Sequence, residues 1–538
     1  MRKSTLLCAV SLAAVLASPV VAQPAMAQDL TIGSAAEPSA LDPHYHNLGP
    51  NNAMRRHVFE SMVLQDEKQR LQPGLATSWK PIDDTTWEFK LREGVKFHDG
   101  SDFTAKDVIY TVCRIPNVEN SPSSFTVYTK AIADMEAKDA HTLIITTDGP
   151  YPLLPVEVST WGVLSASANG VSGDIGFDRE SCSGIDGYPK TEAFNNGEAA
   201  IGTGMYTFKE YTRGEKIVFE RNENYWGNKA DWATVTFRPI TADGPRVAAL
   251  LAGDVDMIDK PPLQDLERIK SEGFQVAQGL SNRVIYLHLD HEQEPTPGVT
   301  GTDKNPFKDV RVRKAVSMAI NREAIVARIM GGVAVPAGEL LPPGMFGSTP
   351  GAAAEEYNAE AAKKLLAEAG YPDGFGLTIG SPNDRYINDA QVAQAVAQML
   401  TRIGIETQVD AVTASTFFKR RNQYEFSMYL AGWGSGTGEM SSPLRALVAT
   451  QDKEKGYGGT NRGRYSNPDL DALIDQALAT VDDDKREKIL QQASGIVMAD
   501  YGILPLHFEV TPWAFRKGIT YTPRTDQYTL ALGVKPAS

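Results

Sequence analysis

The stretch YLAGWGSGTGEMSSPLRALV, residues 429–448, joins a short apolar strand to a glycine-rich turn and then to a helix-like segment. The turn has three interpretations: a phosphate cradle, a turn that presents a nucleophile, or the rim of a binding cleft with Trp433 as its wall. Strands and helices alternate around it, between residues 375 and 510, which is typical of a mixed α/β domain. Residues 80–165 are richer in hairpins and indicate a smaller α+β domain.

Alternation and capping signals locate the other elements. Trp87, Phe89 and Leu91 alternate before a Glu-Gly turn, so residues 85–100 are predicted to form a hairpin. Thr104 and Asp107 have the spacing of a capping box that opens a helix. The remaining predictions are strands at 30–33, 138–150, 282–290 and 503–510, a second hairpin at 203–227, a helix and short strand at 246–259, and helices at 51–63, 307–330 (broken near Asn321), 358–370, 389–405, 467–481 and 484–501.

The first 27 residues have the three parts of a secretory signal peptide. Arg2 and Lys3 precede the apolar run 6–22, and Ala25-Met26-Ala27 is typical of a cleavage site. The mature chain is therefore expected to begin at Gln28 and to be exported to the periplasm without a lipid anchor. No later apolar run approaches the ~20 residues that a membrane span requires.

Charge and length restrict the class of protein. The 538 residues carry 53 Lys and Arg against 67 Asp and Glu, a formal charge of −14, and the predicted leader contributes only basic residues. This acidity argues against a nucleic-acid partner. The length predicts two to four domains, and without a low-complexity linker one domain is expected to consist of discontinuous pieces.

Cys113 and Cys182 are the cysteines that remain after the leader. In an oxidising compartment they can form one disulfide, and otherwise they are two inert thiols. They are too far apart for a C-x-x-C redox motif and too few for a zinc cluster.

Catalytic and cofactor motifs do not fit the sequence. Ser435 lacks the glycines two residues away on each side that a nucleophile turn needs. No Lys follows Gly438, as a phosphate-binding loop would require. His44 and His46 could share one face of an extended segment, but no acid or cysteine cluster joins them, so a polar loop near the cleft is favoured over a metal site. No catalytic residue, metal or cofactor is predicted.

Several segments together resemble the extracellular solute-binding proteins of peptide- and nickel-type ABC importers, the dipeptide/oligopeptide group of family 5. The similar segments keep their order over nearly all of the mature chain. They are PGLATSW (73–79), LREGVKFHDGSDFTAKDV (91–108), GTGMYTF (202–208), RNENYWG (221–227), AGDVDMI (252–258), PFKDVRVRKAVSMAINRE (306–323), AKKLLAEAGYPDG (362–374), GW (432–433) and YSNPDLDALI (465–474).

The resemblance implies a fold and a domain order. The fold is α/β, a two-lobed periplasmic binding protein of type II, similar to cluster C, with an extra α+β domain. Domain I would comprise residues 28–55, 191–280 and 506–538; domain II would be the insertion 56–190, and domain III residues 281–505. The lobes would close over a ligand and dock on a membrane permease driven by an ATPase.

In peptide-binding members an Asp three residues after the Gly-Trp pair holds the ligand's ammonium group. Here Gly436 stands at that offset, and Glu439 is the nearest acid. Dipeptide-binding members also hold the ligand's carboxylate with an Arg; the aligned position here is Ala390 or Gln391, and Arg385 is the nearest guanidinium. Both anchors are displaced or missing, so ordinary dipeptide recognition is not expected.

The glycine-rich turn is therefore interpreted as a cleft rim. Trp433 would supply an amphipathic wall, and the glycines would let the backbone approach a ligand. The residues expected at the ligand are Trp433, Gly434, Ser435, Gly436, Glu439, Arg385, Tyr45 and Tyr206. The alternatives are a core position for Trp433, a solvated acid for Glu439, a surface position for Arg385 and plain packing for the two tyrosines.

The predicted function is the periplasmic substrate-binding component of an ABC importer. The ligand would be a peptide or another small polar solute, and opines, glycosides and metal chelates stay open. The protein is expected to act as a monomer. An exported hydrolase and a chaperone-like or signalling binder on the same fold are the alternatives.

Overall fold

A computed structural model describes residues 29–537, and the predicted leader and Gln28 lie outside this range. The strands are β1 (Leu30–Ser34), β2 (Val63–Gln65), β3 (Leu71–Pro73), β4 (Ala76–Pro81), β5 (Thr86–Leu91), β6 (Ile132–Asp139), β7 (Thr142–Thr147), β8 (Tyr206–Thr212), β9 (Lys216–Arg221), β10 (Thr234–Pro239), β11 (Met257–Asp259), β12 (Gln275–Leu289), β13 (Val299–Thr300), β14 (Ala334–Pro336), β15 (Phe375–Pro382), β16 (Ile405–Val412), β17 (Met428–Gly434), β18 (Leu504–Phe515), β19 (Ile519–Tyr521) and β20 (Val534–Pro536).

The α-helices are α1 (Gly49–Val58), α2 (Ala105–Arg114), α3 (Leu154–Glu157), α4 (Thr191–Asn195), α5 (Asp243–Ala252), α6 (Leu266–Ser271), α7 (Val310–Ala319), α8 (Arg322–Arg328), α9 (Ala359–Glu368), α10 (Asp389–Arg402), α11 (Ala414–Asn422), α12 (Ser441–Pro443), α13 (Pro468–Leu478) and α14 (Asp483–Ala499). After α12 the chain continues as a π-helical turn, Leu444–Val448. Asn321 caps α8 with its side chain, so the break predicted there is confirmed.

One mixed sheet runs through both α/β lobes in the order β13-β15-β17-β12-β18-β11-β1-β10-β9-β8, with β16 beside β15 and β14 beside β18. The long antiparallel strands β12 and β18 lie at its centre. The strands that follow β18 in this order form the first lobe, and those that precede β12 form the second. Each lobe has its own buried apolar cluster, which is why neither depends on the other for a core.

The pairing of β12 with β18 is interrupted where the lobes meet. Residues 275–280 pair with 515–510, residues 284–287 pair with 508–504, and the register breaks between Leu280 and Val284. A break in a ladder leaves side chains and backbone groups without strand partners and bends the strands. The predicted domain limits near this point, 280/281 and 505/506, stay predictions, because both strands belong to both lobes.

The third lobe is an insertion with a separate antiparallel sheet, β4-β5-β7-β6. The predicted capping box opens its main helix, α2: the backbone N–H of Thr104 donates to the Asp107 carboxylate at 2.7 Å. Cys113 on this helix is bonded to Cys182 in the long loop that follows the sheet. The disulfide interpretation of these two cysteines is therefore confirmed.

The hairpin predicted over residues 85–100 is wrong. Strand β5 pairs with β4 before it and β7 after it, and residues 95–97 form no strand of the sheet. The alternation of Trp87, Phe89 and Leu91 identified a strand with one buried face, but alternation does not say which strand is its neighbour. The hairpin at 203–227 is confirmed as β8 and β9.

Removing the Cys113–Cys182 bridge should destabilise the inserted lobe. The bond closes a loop with a sequence separation of 69 residues, so Cys113→Ser with Cys182→Ser should lower the free energy of unfolding by about 2–4 kcal/mol. Urea unfolding of the double variant and the parent measures the difference, and the parent with a reductant is the control. The bridge would be contradicted if the parent protein, unfolded without a reductant, had two thiols that react with a thiol reagent.

Candidate functional site

The largest cavity described, of about 810 Å³, lies at the interruption of the central sheet. Asn282 and Arg283 reach it from the register break in β12, and the loop after β17 forms one wall. Segments from the first lobe, the second lobe and the insertion all contribute to its lining. A cavity of this size, bordered by separate lobes, has the dimensions of a small-molecule site.

The glycine-rich turn quoted above forms the second-lobe wall of this cavity. Trp433, half-buried, lies next to the last residue of β17 and donates its indole N–H to Ser442 Oγ at 3.2 Å. Gly434, Ser435 and Gly436 follow it along the cavity. The indole is thus held in place by a hydrogen bond at a residue that lines the cavity.

Ser435 joins the turn to the rest of the molecule through its carbonyl oxygen. Asn282 Nδ2 donates to this oxygen at 2.5 Å, and Gln69 Nε2 donates to it at 3.2 Å. The same Asn282 amide also donates to Gln69 Oε1 at 2.5 Å. The three residues come from the second lobe, the register break and the insertion, and all are buried, so the three parts of the chain are connected at one polar cluster.

Basic side chains at the cavity are largely without acidic partners. Within residues 29–537, Lys260, Arg385 and Arg445 have no carboxylate within salt-bridge distance. Arg283 directs its Nε to Gln527 Oε1 at 3.1 Å and to Glu509 Oε2 at 3.5 Å, and its terminal nitrogens have no hydrogen-bond partner in the described part of the chain. Arg283 and Arg385 lie over the same Tyr386 ring, with 5.9 Å and 5.3 Å from guanidinium carbon to ring centre.

The two acids at the cavity are already engaged. Asp526 accepts from Arg524 at 2.7 Å and from Arg56 at 3.4 Å. Glu157 is buried and accepts from the Tyr151 hydroxyl at 2.9 Å, while its other oxygen has no partner among the described residues. Burial raises the pKa of Glu157 to about 8, so this carboxyl is mostly protonated at neutral pH. The cavity therefore has a positive potential.

Five of the predicted ligand residues are brought together here: Trp433, Gly434, Ser435, Gly436 and Arg385. Their contact with a ligand stays a prediction.

Glu439, Tyr45 and Tyr206 are placed elsewhere. Glu439 is buried, bonds Arg486 at 2.8 Å and accepts from Ser441 Oγ, so its carboxylate is used inside the second lobe. Tyr45 borders a separate surface cavity. Tyr206 on β8 is fully buried in the first lobe's core. The structure does not bring these three side chains to the large cavity: an ion pair engages Glu439, core packing encloses Tyr206, and Tyr45 lies at the other cavity.

Several cavity residues were not predicted from sequence patterns. Tyr128 and Glu157 belong to the insertion, and Gln527 and Tyr528 come from the last forty residues. Arg445, one turn after the glycine-rich segment, could have been singled out as a cation near the predicted rim. The others reach the cavity only through contacts between distant parts of the chain.

His44 has a structural position. Its Nε2 lies 2.8 Å from the Gly162 carbonyl, and its Nδ1 lies 3.0 Å from Arg114, which also forms a buried ion pair with Asp42 at 2.7 Å. Burial lowers the pKa of His44 to about 3, so the ring is neutral. Among the described residues, no three His, Cys, Asp or Glu side chains are grouped as metal ligands.

Comparison with known proteins identifies the family. The model of the bacterial extracellular solute-binding proteins, family 5 (middle region), matches residues 70–455. The chain belongs to this family. The family resemblance inferred from the sequence segments is therefore confirmed, and with it the two-lobed α/β fold and the role of substrate-binding component of an ABC importer.

Individual relatives agree with this assignment. The glutathione-binding protein GsiB of Escherichia coli (strain K12) is 27% identical over 512 residues, which cover 91% of each chain. The substrate-binding protein CtaP of Listeria monocytogenes has a similar structure, with a TM-score of 0.79, 22% identity and coverage of 94% and 99%. The periplasmic binding protein DppA of Helicobacter pylori, in complex with the peptide STSA, has a TM-score of 0.72, 23% identity and coverage of 94% and 98%.

The relatives named above are called binding proteins rather than enzymes, and DppA is called a periplasmic binding protein. In the part of the chain that the structure describes, none of the helices has the length and apolar character needed to cross a membrane.

The buried carboxyl of Glu157 should make stability depend on pH. The folded-state pKa of Glu157, about 8, lies above the ordinary value of 4.5. At pH values between these two, the native state therefore holds more protons than the unfolded state. Its contribution to stability therefore falls as pH rises through that window. In urea unfolding, the free energy of unfolding of Glu157→Gln, compared with that of the parent, should increase from pH 5 to pH 8.

The exposed Glu180→Gln is the control for that measurement and should follow the parent at every pH. A stability difference between Glu157→Gln and the parent that does not change with pH would show that Glu157 is ionised in the native state.

Proposed function

We propose that the protein captures a small anionic solute, one that carries at least one carboxylate, and delivers it to a membrane permease. The observation that supports this is the set of cations at the cavity, Lys260, Arg283, Arg385 and Arg445, beside acids that are neutral or already paired. Guanidinium groups form bidentate hydrogen bonds with carboxylates. Without an anion, the cations repel one another in a partly closed space.

The distribution of the cations among the lobes supports capture by closure. Lys260 belongs to the first lobe, Arg445 to the second, and Arg283 lies at the register break between them. An anion between the lobes would contact cations from both only when the lobes are close together. Such differential contact shifts the balance of open and closed forms, and about 5.5 kcal/mol would convert a mostly open population into a mostly closed one.

The relative GsiB is named a glutathione-binding protein, and glutathione is a peptide with more carboxylates than ammonium groups. This is the balance of charge that the present cavity favours. An ordinary dipeptide would leave its ammonium group facing cations, with no free carboxylate from Glu157, Asp526 or Glu439. We therefore propose a carboxylate-rich peptide or peptide-like acid as the ligand class.

The partners and setting follow from the same proposal. The chain would be exported by its leader, act as a monomer without enzymatic activity, and pass the solute to a permease with its ATPase. Native mass spectrometry of freshly purified protein, followed by identification of the released solute, tests the ligand class. Calorimetry with glutathione, glutathione disulfide, citrate, succinate, dialanine and trilysine extends the test. Saturable binding of dialanine or trilysine, without binding of any acid, would refute the proposal, and so would turnover of a bound compound.

Removing one cavity cation should weaken acid binding specifically. Arg445→Gln removes a guanidinium that has no carboxylate within salt-bridge distance among residues 29–537. A hydrogen bond to a charged group contributes about 1.5–3 kcal/mol, so the Kd for the tightest acid of the panel should rise about tenfold or more. Arg402→Gln, at an exposed position of α10 outside the cavity, is the matched control and should leave Kd unchanged.

Equal Kd values for Arg445→Gln and Arg402→Gln would show that the cavity cation does not contact the solute. Calorimetry at two salt concentrations adds a second readout, because an attraction between charges weakens as ionic strength rises.

A further inference from the structure

Two consecutive peptide groups in the glycine-rich turn have their carbonyls on the same side. Gln69 Nε2 donates to the carbonyl oxygen of Ser435 at 3.2 Å and to that of Gly436 at 3.4 Å. Asn282 Nδ2 donates to the first of these oxygens at 2.5 Å. Both carbonyls are therefore occupied by side-chain amides from the insertion and from the register break.

In a planar trans peptide the N–H points away from the C=O of the same unit. The N–H groups of Gly436 and Thr437, which belong to these two units, therefore point away from Gln69. Neither N–H has an acceptor among residues 29–537. Both residues border the large cavity, so two adjacent, unbonded donors are available there.

A single side-chain atom limits the space around Gly436. A Cβ atom built on Gly436 would approach only the Tyr128 hydroxyl, at 3.3 Å. Tyr128 belongs to the inserted-lobe wall of the cavity. The end of one tyrosine side chain is therefore what a ligand atom would meet beside the backbone at this point.

We propose that the backbone N–H groups of Gly436 and Thr437 form an oxyanion cradle that holds one carboxylate of the solute. This inference rests on the proposed function. It adds where one carboxylate of the solute binds and that backbone N–H donors bind it. Successive N–H groups that converge from a turn form anion-binding concavities, and hydrogen bonds to an ionised acceptor are stronger than neutral ones. The cations across the cavity also attract the carboxylate, but they fix its position less directly than the two backbone N–H groups do.

Gln69 is the positioning residue of this cradle. Its backbone is in the left-handed region, at φ 59°, and its side chain is buried. Gly438 leaves room for it: a Cβ there would approach Gln69 Cβ to 2.8 Å, and Gly438 itself has φ 74°. The N–H of Gly438 donates to Ser435 Oγ at 2.9 Å, which closes the turn. The two carbonyl oxygens are thereby occupied by side-chain amides.

Substitutions at Gly436 distinguish binding through the backbone N–H from an effect of side-chain packing. Gly436→Ala keeps the N–H and should change the Kd for the tightest acid of the panel by less than about threefold. Gly436→Pro removes the N–H and should weaken binding about tenfold or more. Gly436→Asp keeps the N–H but adds a negative charge beside the carboxylate, and should weaken binding further.

A spectroscopic measurement on the unsubstituted protein keeps the test valid if the proline variant does not fold. With ¹⁵N-labelled Gly and Thr, the amide protons of Gly436 and Thr437 should move downfield on adding glutathione or the tightest acid, and their hydrogen exchange should slow. The amide of Gly94, at an exposed turn after β5 and outside the cavity lining, is the internal control.

The outcomes distinguish the two proposals. If acids bind but the two amides do not shift, and Gly436→Pro binds as tightly as Gly436→Ala, the cradle is refuted while the proposed function stands. If no acid in the panel binds the unsubstituted protein, the proposed function fails and the cradle fails with it.

Discussion

The interrupted pairing of β12 with β18 is the constraint on which the rest of the structure depends. Both strands run from one lobe to the other, so the lobes share one sheet, yet the ladder stops between Leu280 and Val284. Continuous hydrogen bonding there would leave no room for a cavity and would couple the lobes rigidly. The interruption leaves Asn282 and Arg283 without partners in β18, and both residues line the cavity.

The insertion is part of the binding region as well as an additional lobe. Its own sheet, helix and disulfide make it a stable unit. From that unit Tyr128 and Glu157 extend to the cavity, and Gln69 reaches the glycine-rich turn of the second lobe. A rigid insertion therefore fixes the position of groups that face a ligand, which is the support that precise binding sites need.

The positive charge of the cavity arises because the nearby acidic side chains are paired with arginines or protonated. The chain as a whole is acidic, with a formal charge of −14, yet the cavity presents cations. Asp526 and Glu439 are neutralised by arginines, and burial keeps Glu157 protonated. Net charge thus describes how the protein behaves in solution, whereas local pairing decides which solute it can hold.

The sequence by itself determined many of the elements and the family. Capping at Thr104, the break at Asn321 and the strand before Trp433 are local features, and local features depend on residues a few positions apart. It could not determine strand neighbours, which is why β5 was paired wrongly, or that Tyr206 is buried while Arg283 and Arg445 face the cavity. Those facts depend on contacts between residues hundreds of positions apart, which only the tertiary structure brings together. The direction of the Gly436 and Thr437 amides is of this kind, because Gln69 and Asn282 set it from other parts of the chain.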